Sequence, residues 1–519
     1  MKRTFTSILA GILAATMLLS GCSGNGGSSS GGGNTAQPGA NASAEGASAR
    51  TDLNMVMTTD LNTLDPHNSN AIFESKVIRN LFDALVEVDD ETKEIVPALA
   101  ESWEIAPDGE SVTFKLRSGV KFHNGEDLKA SDVKFSFERA IEAPKVRSYS
   151  FAMKSMDVVD DSTVKLNLNY PYGSILSMVA KIYIVSEKAV TDLGDEFGRK
   201  PVGTGAYSLV EWEPAQQIVL KANDGYFNGA PALKDMVIKL IVDSNTAFIA
   251  LETGDVDFYP EAVPVDVEQA KTNEKLTVLE DVANSFYFIT FNNKTISDEK
   301  VRQAISYAVD VNTMNTIGFE GKGTLAQMPL KPGAEGYTED VKVYDYNPDE
   351  AKKLLSEAGY SEGQLSLRLV FIESSTNKKM SQVMQEELAN VGINLVLEPL
   401  ESGTYYTQIA TGDYDMLISG QGYDPTNTDR TFFRLFHTEG DYNYCKYSNP
   451  KVDELLNTAR VESDRAKRDE IYKEVIGIVR DEAVYLPLYY KAATLVYDKN
   501  LQGVKIKDDS MYDFADFHW

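Results

Sequence analysis

The spacing of apolar positions changes along the chain. Residues 111–117, SVTFKLR, alternate apolar and polar side chains as a half-buried strand does, and residues 159–169, VDDSTVKLNLN, repeat the alternation around a turn. The first half is therefore strand-rich. Later the period becomes helical, and caps mark the helix ends. In residues 346–360, YNPDEAKKLLSEAGY, Asn347 is an N-cap with Pro348 at N1 and Glu350 at N3. Leu354, Leu355 and Ala358 make the apolar stripe, and Gly359 ends it. Residues 377–393 predict a helix running into a strand over 393–400, and two further helices follow over 449–459 and 463–479. Residues 296–314 predict one helix with Val301, Ile305 and Val309 on one face, directly after the apolar strand FYFITFNN at 286–293. The pattern is mixed α/β, with a boundary between two lobes expected near residue 295.

At 519 residues the chain exceeds what one hydrophobic core usually holds, so two or three domains are expected. Residues 1–22 predict an export signal, in which Lys2 and Arg3 precede an apolar stretch too short for a permanent membrane helix. Its end, Leu19-Ser20-Gly21-Cys22, resembles the lipobox of bacterial lipoproteins. That resemblance implies cleavage before Cys22 and lipid attachment to it. Residues 23–50 contain no large apolar side chain and predict a flexible Gly/Ser/Ala linker with a span of about 30 Å. The expectation is an extracytoplasmic protein touching the cell membrane only through its N-terminal lipid.

Charge narrows the partners. The chain has 78 acidic residues against 50 Lys and Arg, a formal net charge of −28, and cleavage removes Lys2 and Arg3 but no acid. Such a surface repels phosphate backbones and anionic lipids, so nucleic acid and direct bilayer docking are not expected. With Cys22 lipidated, Cys445 lacks a partner for an intramolecular disulfide, and its aromatic surroundings predict a buried, inert thiol.

Catalytic and metal motifs are scarce. None of the four histidines, His67, His123, His437 and His518, stands three or four residues from another, the spacing a helical zinc site needs. No Ser sits in a G-x-S-x-G elbow that follows a strand and opens a helix. GKGTLA at 321–326 fits G-x-G-x-x-A but follows a helix, so the dinucleotide reading fails on context, and no segment fits the P-loop pattern. The loop SGQGYDPTNTDR, residues 419–430, lacks calcium-loop spacing: counting from Asp424, ligand positions fall on Thr426 and Thr428, and Asp429 replaces the required Gly. No metal, no cofactor and no enzymatic activity are expected. A ligand cradle remains for that loop.

Residues 98–139 resemble the signature of family 5 extracellular solute-binding proteins, the peptide/nickel-binding receptors of ABC importers. The specific core is Lys121-Phe122-His123-Asn124-Gly125, followed by Leu128, Ala130, Asp132 and Val133. Further blocks agree in order, at 64–67, 201–207, 223–241, 250–258, 301–310 and 447–456, covering nearly the whole mature chain. The resemblance implies a bilobed periplasmic-binding-protein-like fold of the class II type with an extra inserted small domain. Lobe I would comprise 51–85, 195–295 and 485–519, the inserted domain 86–194, and lobe II 296–484. It further implies that His123 and Trp103 are scaffold.

The function implied is capture of an oligopeptide or dipeptide between the lobes and delivery to an ABC permease and ATPase, by a monomer. The alternatives are a non-peptide solute such as a nickel chelate, sugar or cationic metabolite, or a ligand-presenting sensor subunit. In peptide-binding members an Asp in a Gly-rich loop takes the peptide ammonium, and the matching residue is Asp424, beside Tyr423, Gly422 and Gln421. Gln421 stands where a Trp is usual, and Glu373, Ser374 and Ser375 stand where dipeptide-type members carry a carboxylate-binding Arg. Asn70, Glu373 and Ser374 complete the ligand-contact candidates.

Overall fold

The computed structural model describes residues 50–507 and 509–519. The expected signal peptide, the lipidation site Cys22 and the linker up to residue 49 lie outside the described residues.

One mixed sheet runs through the molecule. In spatial order its strands are Ile393–Leu400, Leu365–Ile372, Met416–Gly422, Leu276–Phe291, Tyr485–Asp498, Phe258–Tyr259, Asp52–Met57, Asp235–Leu240, Gln217–Ala222 and Tyr207–Glu213. The two long central strands belong to both lobes. Their antiparallel register runs from Leu276↔Asp498 to Val282↔Ala492, breaks, and resumes at Phe286↔Tyr490. On one side of that break the pair joins the Asp52–Met57 half of the sheet, and on the other the Met416–Gly422 half. The change of lobe thus falls inside the strands, upstream of residue 295 and downstream of residue 485. Polar residues stand at the break: Glu280, Asp281, Asn284 and Ser285 interrupt the apolar run of one strand, and Lys491 that of the other.

Each lobe has its own core. Leu53, Met55, Leu220, Met236 and Phe258 centre lobe I, and Ile289, Leu369, Met384, Ile393 and Met416 centre lobe II. The inserted domain is a four-stranded antiparallel sheet, Ala100–Ile105, Ser111–Leu116, Thr163–Leu168 and Met153–Asp160, covered by the helix Ala130–Glu142. Its core runs from Leu85 to Ile184, while Val185 and Ala189 already pack into lobe I. The chain therefore re-enters lobe I about one helix before residue 194. Trp103 packs against this core. His123 closes a turn against the body: its Nδ1 accepts from the Gly203 N–H at 3.3 Å and its Nε2 lies 3.0 Å from the Gly205 carbonyl. Both ring nitrogens are committed to backbone, and burial pushes the imidazole down to about 4.

The predicted caps recur in the structure. Asn347 Oδ1 accepts from the Glu350 N–H at 3.1 Å, opening the helix Pro348–Glu357, and Gly359 follows it at φ 86°. Asn449 opens Pro450–Val461 and Asp464 opens Arg465–Asp481. One expectation is corrected. The single helix over 296–314 is two, Glu299–Ala308 and Val311–Phe319, because Val309 is extended and the Asp310 carboxylate caps the Asn312 N–H at 3.0 Å. Arg50, read as the last linker residue, is anchored by bidentate hydrogen bonds of 2.7 Å to Asp257.

Candidate functional site

The strand Met416–Gly422 is paired unevenly. Along one edge it pairs with the long strand from Met416↔Phe291 to Gly422↔Ser285. Along the other, Leu365–Ile372 pairs with it only at Leu369↔Met416 and Val370↔Leu417. From residue 418 to 422 the second edge has no strand neighbour among the described residues. The Ile418 carbonyl accepts from the Tyr405 hydroxyl at 3.1 Å, and N–H and C=O groups left unpaired along such an edge are a template for an extended chain.

A cavity of about 590 Å³ opens there. Tyr287, Phe319, Tyr405, Tyr406, Tyr442 and Tyr444 supply aromatic walls, and the first turn of the helix Ser375–Asn390 supplies Thr376 and Asn377. Ser374 and Gln421 also line it, so the structure brings these two candidates together. Among the described residues its one charged lining residue is Lys491. No His, Cys, Asp or Glu among the described residues lines the space, and Ser419 is occupied by Thr290, their hydroxyls 2.7 Å apart. The cavity can bind but has no nucleophile–base pair. Among the described residues no group of three or more His, Cys, Asp or Glu could hold a metal ion, and no helix is long and apolar enough to cross a membrane.

The remaining candidates sit elsewhere. Gly422 ends the strand opposite Ser285. Tyr423 is buried in lobe II, 6.5 Å from the Tyr490 ring, and does not line the cavity. Asp424 is buried, and its Oδ1 accepts from the Thr426 N–H at 3.0 Å and the Thr426 hydroxyl at 2.7 Å, an Asx turn. Its Oδ2 has no hydrogen-bond partner among the described residues. Glu373 is exposed, its N–H bonded to the Leu400 carbonyl at 2.8 Å, and exposed Asn70 precedes the helix Ile72–Leu81; neither lines the cavity.

A second, polar cavity of about 190 Å³ begins at Thr426 and reaches Lys181, Arg79, Asp83, Lys507 and Asp509. Lys181 bonds Asp509 at 3.2 Å. Burial works to lower the Lys181 ammonium, but Asp509 and then Asp424 hold it above the usual lysine range. Asp424 is thus near enough to Lys181 of the inserted domain to act on its charge, a proximity its sequence neighbourhood does not disclose. Sequence reasoning missed Lys491 and the tyrosine walls, because they come from segments scattered from 287 to 491.

Comparison with known proteins is decisive for the family. Residues 94–443 match the family described as bacterial extracellular solute-binding proteins, family 5 Middle. The chain belongs to this family. Family 5 members are the extracytoplasmic substrate-binding proteins of ABC importers, so this family 5 protein is a binding protein and not an enzyme. It is similar to the glutathione-binding protein GsiB of Pectobacterium atrosepticum, 29% identical over 489 residues, covering 90% of this chain and 94% of that protein. Among solved structures it resembles DppA from Helicobacter pylori in complex with peptide STSA, with a TM-score of 0.74, 28% identity, and coverage of 91% and 98%. It also resembles the oligopeptide-binding protein AppA from Bacillus subtilis in complex with a nonapeptide, with a TM-score of 0.71, 26% identity, and coverage of 91% and 99%.

Proposed function

We propose that this family 5 protein is an oligopeptide receptor, lipid-anchored through Cys22, that holds an extended peptide against the open edge of residues 418–422. The carrying observation is that edge, unpaired by any strand beside an aromatic cavity of about 590 Å³. Main-chain hydrogen bonds to a sheet edge bind peptides with little regard to sequence, and adjacent pockets add selectivity. The relatives named for glutathione, for peptide STSA and for a nonapeptide support a peptide over a sugar or metal chelate.

Within this reading Asp424 takes the peptide's ammonium through Oδ2, and Gln421 and Ser374 contact the main chain or side chains. Calorimetry with peptides of graded length tests it. A peptide with a free amino end binds, its N-acetylated form binds more weakly, and Asp424→Asn weakens the free-amine peptide by roughly tenfold to a hundredfold. A sugar or nickel chelate that raises the melting temperature while no peptide does so would overturn the reading. Anchoring is tested separately: Cys22→Ala releases the protein from cells into the medium, and retention in the membrane fraction refutes it.

A further inference from the structure

Asp424 has one carboxylate oxygen committed and one open. Oδ1 accepts from the Thr426 N–H and hydroxyl, closing the Asx turn, while Oδ2 has no hydrogen-bond partner among the described residues, although Asp424 is only 7% exposed. A carboxylate so placed needs a cation nearby, because burial strips it of water. The polar cavity of about 190 Å³ brings one close. Among the described residues its one wall residue from lobe II is Thr426, and Lys181, just past the helix Ile175–Val179 of the inserted domain, lines the same space. The Lys181 Nζ donates to Asp509 Oδ2 at 3.2 Å, long for a charged pair. Asp509 does not depend on it, since Arg79 Nη1 donates to both Asp509 oxygens, at 3.1 and 2.9 Å, and Arg79 also pairs with Asp513. Lys181 is therefore the less constrained cation, on a long flexible stem. Burial works to lower its ammonium, and Asp509, then Asp424, outweigh that effect. Two carboxylates thus lie within its electrostatic reach, one in lobe I and one in lobe II.

Resting on the reading of Asp424 as the ammonium anchor, we infer that Lys181 is a built-in competitor for that anchor: before ligand arrives its ammonium neutralises Asp424, and the peptide's amino end displaces it toward Asp509. Lys181 acts here as a specificity-determining residue. A ligand gains from Asp424 only when it brings a cation that replaces the lysine, whereas a neutral or acetylated end leaves the lysine in place. Two ammonium groups near one carboxylate repel each other, so the lysine also lowers affinity for the preferred ligand. In exchange, Asp424 is never left as an uncompensated buried charge, which would destabilise the receptor between rounds of capture.

The test titrates a free-amine peptide and its N-acetylated form into the wild-type protein, Lys181→Met and Lys181→Arg by calorimetry. Lys181→Met strengthens the free-amine peptide roughly threefold to thirtyfold and leaves the acetylated form within about twofold, while Lys181→Arg, which keeps the cation, stays near the wild type. Asp509→Asn supplies the opposite sign. It releases Lys181 to Asp424 while Arg79 retains Asp513, so it weakens the free-amine peptide, and that effect disappears in the Lys181→Met background. A merely structural role for Lys181 would instead weaken both peptides in Lys181→Met. If Lys181→Met leaves the affinity ratio of free-amine to acetylated peptide unchanged, or lowers it, the competitor is refuted and the peptide reading stands. If both forms bind equally to the wild type and to Lys181→Met, the ammonium anchor falls as well, and if no peptide binds the wild type, the peptide reading falls with it.

Discussion

Gly173→Ala should cripple ligand capture without harming the fold. Gly173 follows Tyr172 in a loop of the inserted domain that plugs into lobe II. The Tyr172 hydroxyl donates to Asp429 Oδ2 at 2.8 Å and lies 3.2 Å from Asn427 Oδ1, and the Gly173 N–H donates to the Arg460 carbonyl at 2.8 Å. Asp429 is 1% exposed and pairs with Arg460 at 3.1 Å; burial pushes its carboxyl up, against the pull of Arg460. A Cβ on Gly173 would lie 1.9 Å from the Glu462 carbonyl oxygen and 2.9 Å from its carbon, both backbone atoms of lobe II. The loop must then withdraw. Gly173 has no positive φ, so alanine is unstrained once the lobes part. Overpacking of this kind costs about 1–3 kcal/mol, borne by the arrangement in which this loop meets lobe II. In the proposed receptor capture needs that arrangement, so Kd rises roughly fivefold to 150-fold. Calorimetry gives Kd, and small-angle scattering compares compaction on ligand addition with that of the wild type. Tyr172→Phe, which removes one hydrogen bond to a buried carboxylate, should give a smaller effect in the same direction. Wild-type affinity and wild-type compaction in Gly173→Ala would refute the reasoning.

Two further outcomes follow from buried titratable groups. Asp83 accepts hydrogen bonds from Thr204 at 2.6 Å and Tyr226 at 2.8 Å, yet burial pushes its carboxyl up to about 7. A folded-state value above the unfolded one means the contribution to stability is complete below about pH 4 and is lost as pH rises through 7. The melting temperature of Asp83→Asn relative to the wild type should therefore climb between about pH 4 and 7 and then level off, and a flat difference across that window contradicts it. Cys445 is 4% exposed and burial pushes its thiol up to about 12. Iodoacetamide should leave it unmodified in the native protein at mildly alkaline pH and label it fully in denaturant, as read by mass spectrometry of the intact chain.

Local chemistry explains why much of this molecule can be read from its residues in order. Asn347, Asn449 and Asp464 cap helices through their own neighbours, the alternation at 111–117 makes its strand, and His-Asn-Gly at 123–125 makes its turn. Even the Asx turn of Asp424 is a contact between residues two apart. Such features depend on interactions within a few positions, and the ordered blocks of the family are built from them. What spans greater distances was decided by tertiary structure. The helix expected over 296–314 split because a cap at Asp310 outweighed continuous apolar spacing. The passage between lobes falls inside two continuous strands, where pairing partners change beside the polar residues Asn284, Ser285 and Lys491 with no intervening loop. Tyr423, adjacent to the open edge in sequence, turns into the core of lobe II, and Lys491 reaches the cavity from the far end of the chain. Sequence alone determined the family, the two-lobed plan and the absence of catalytic motifs; only the folded chain decided which charges meet, because a cavity wall is assembled from segments that share no local pattern.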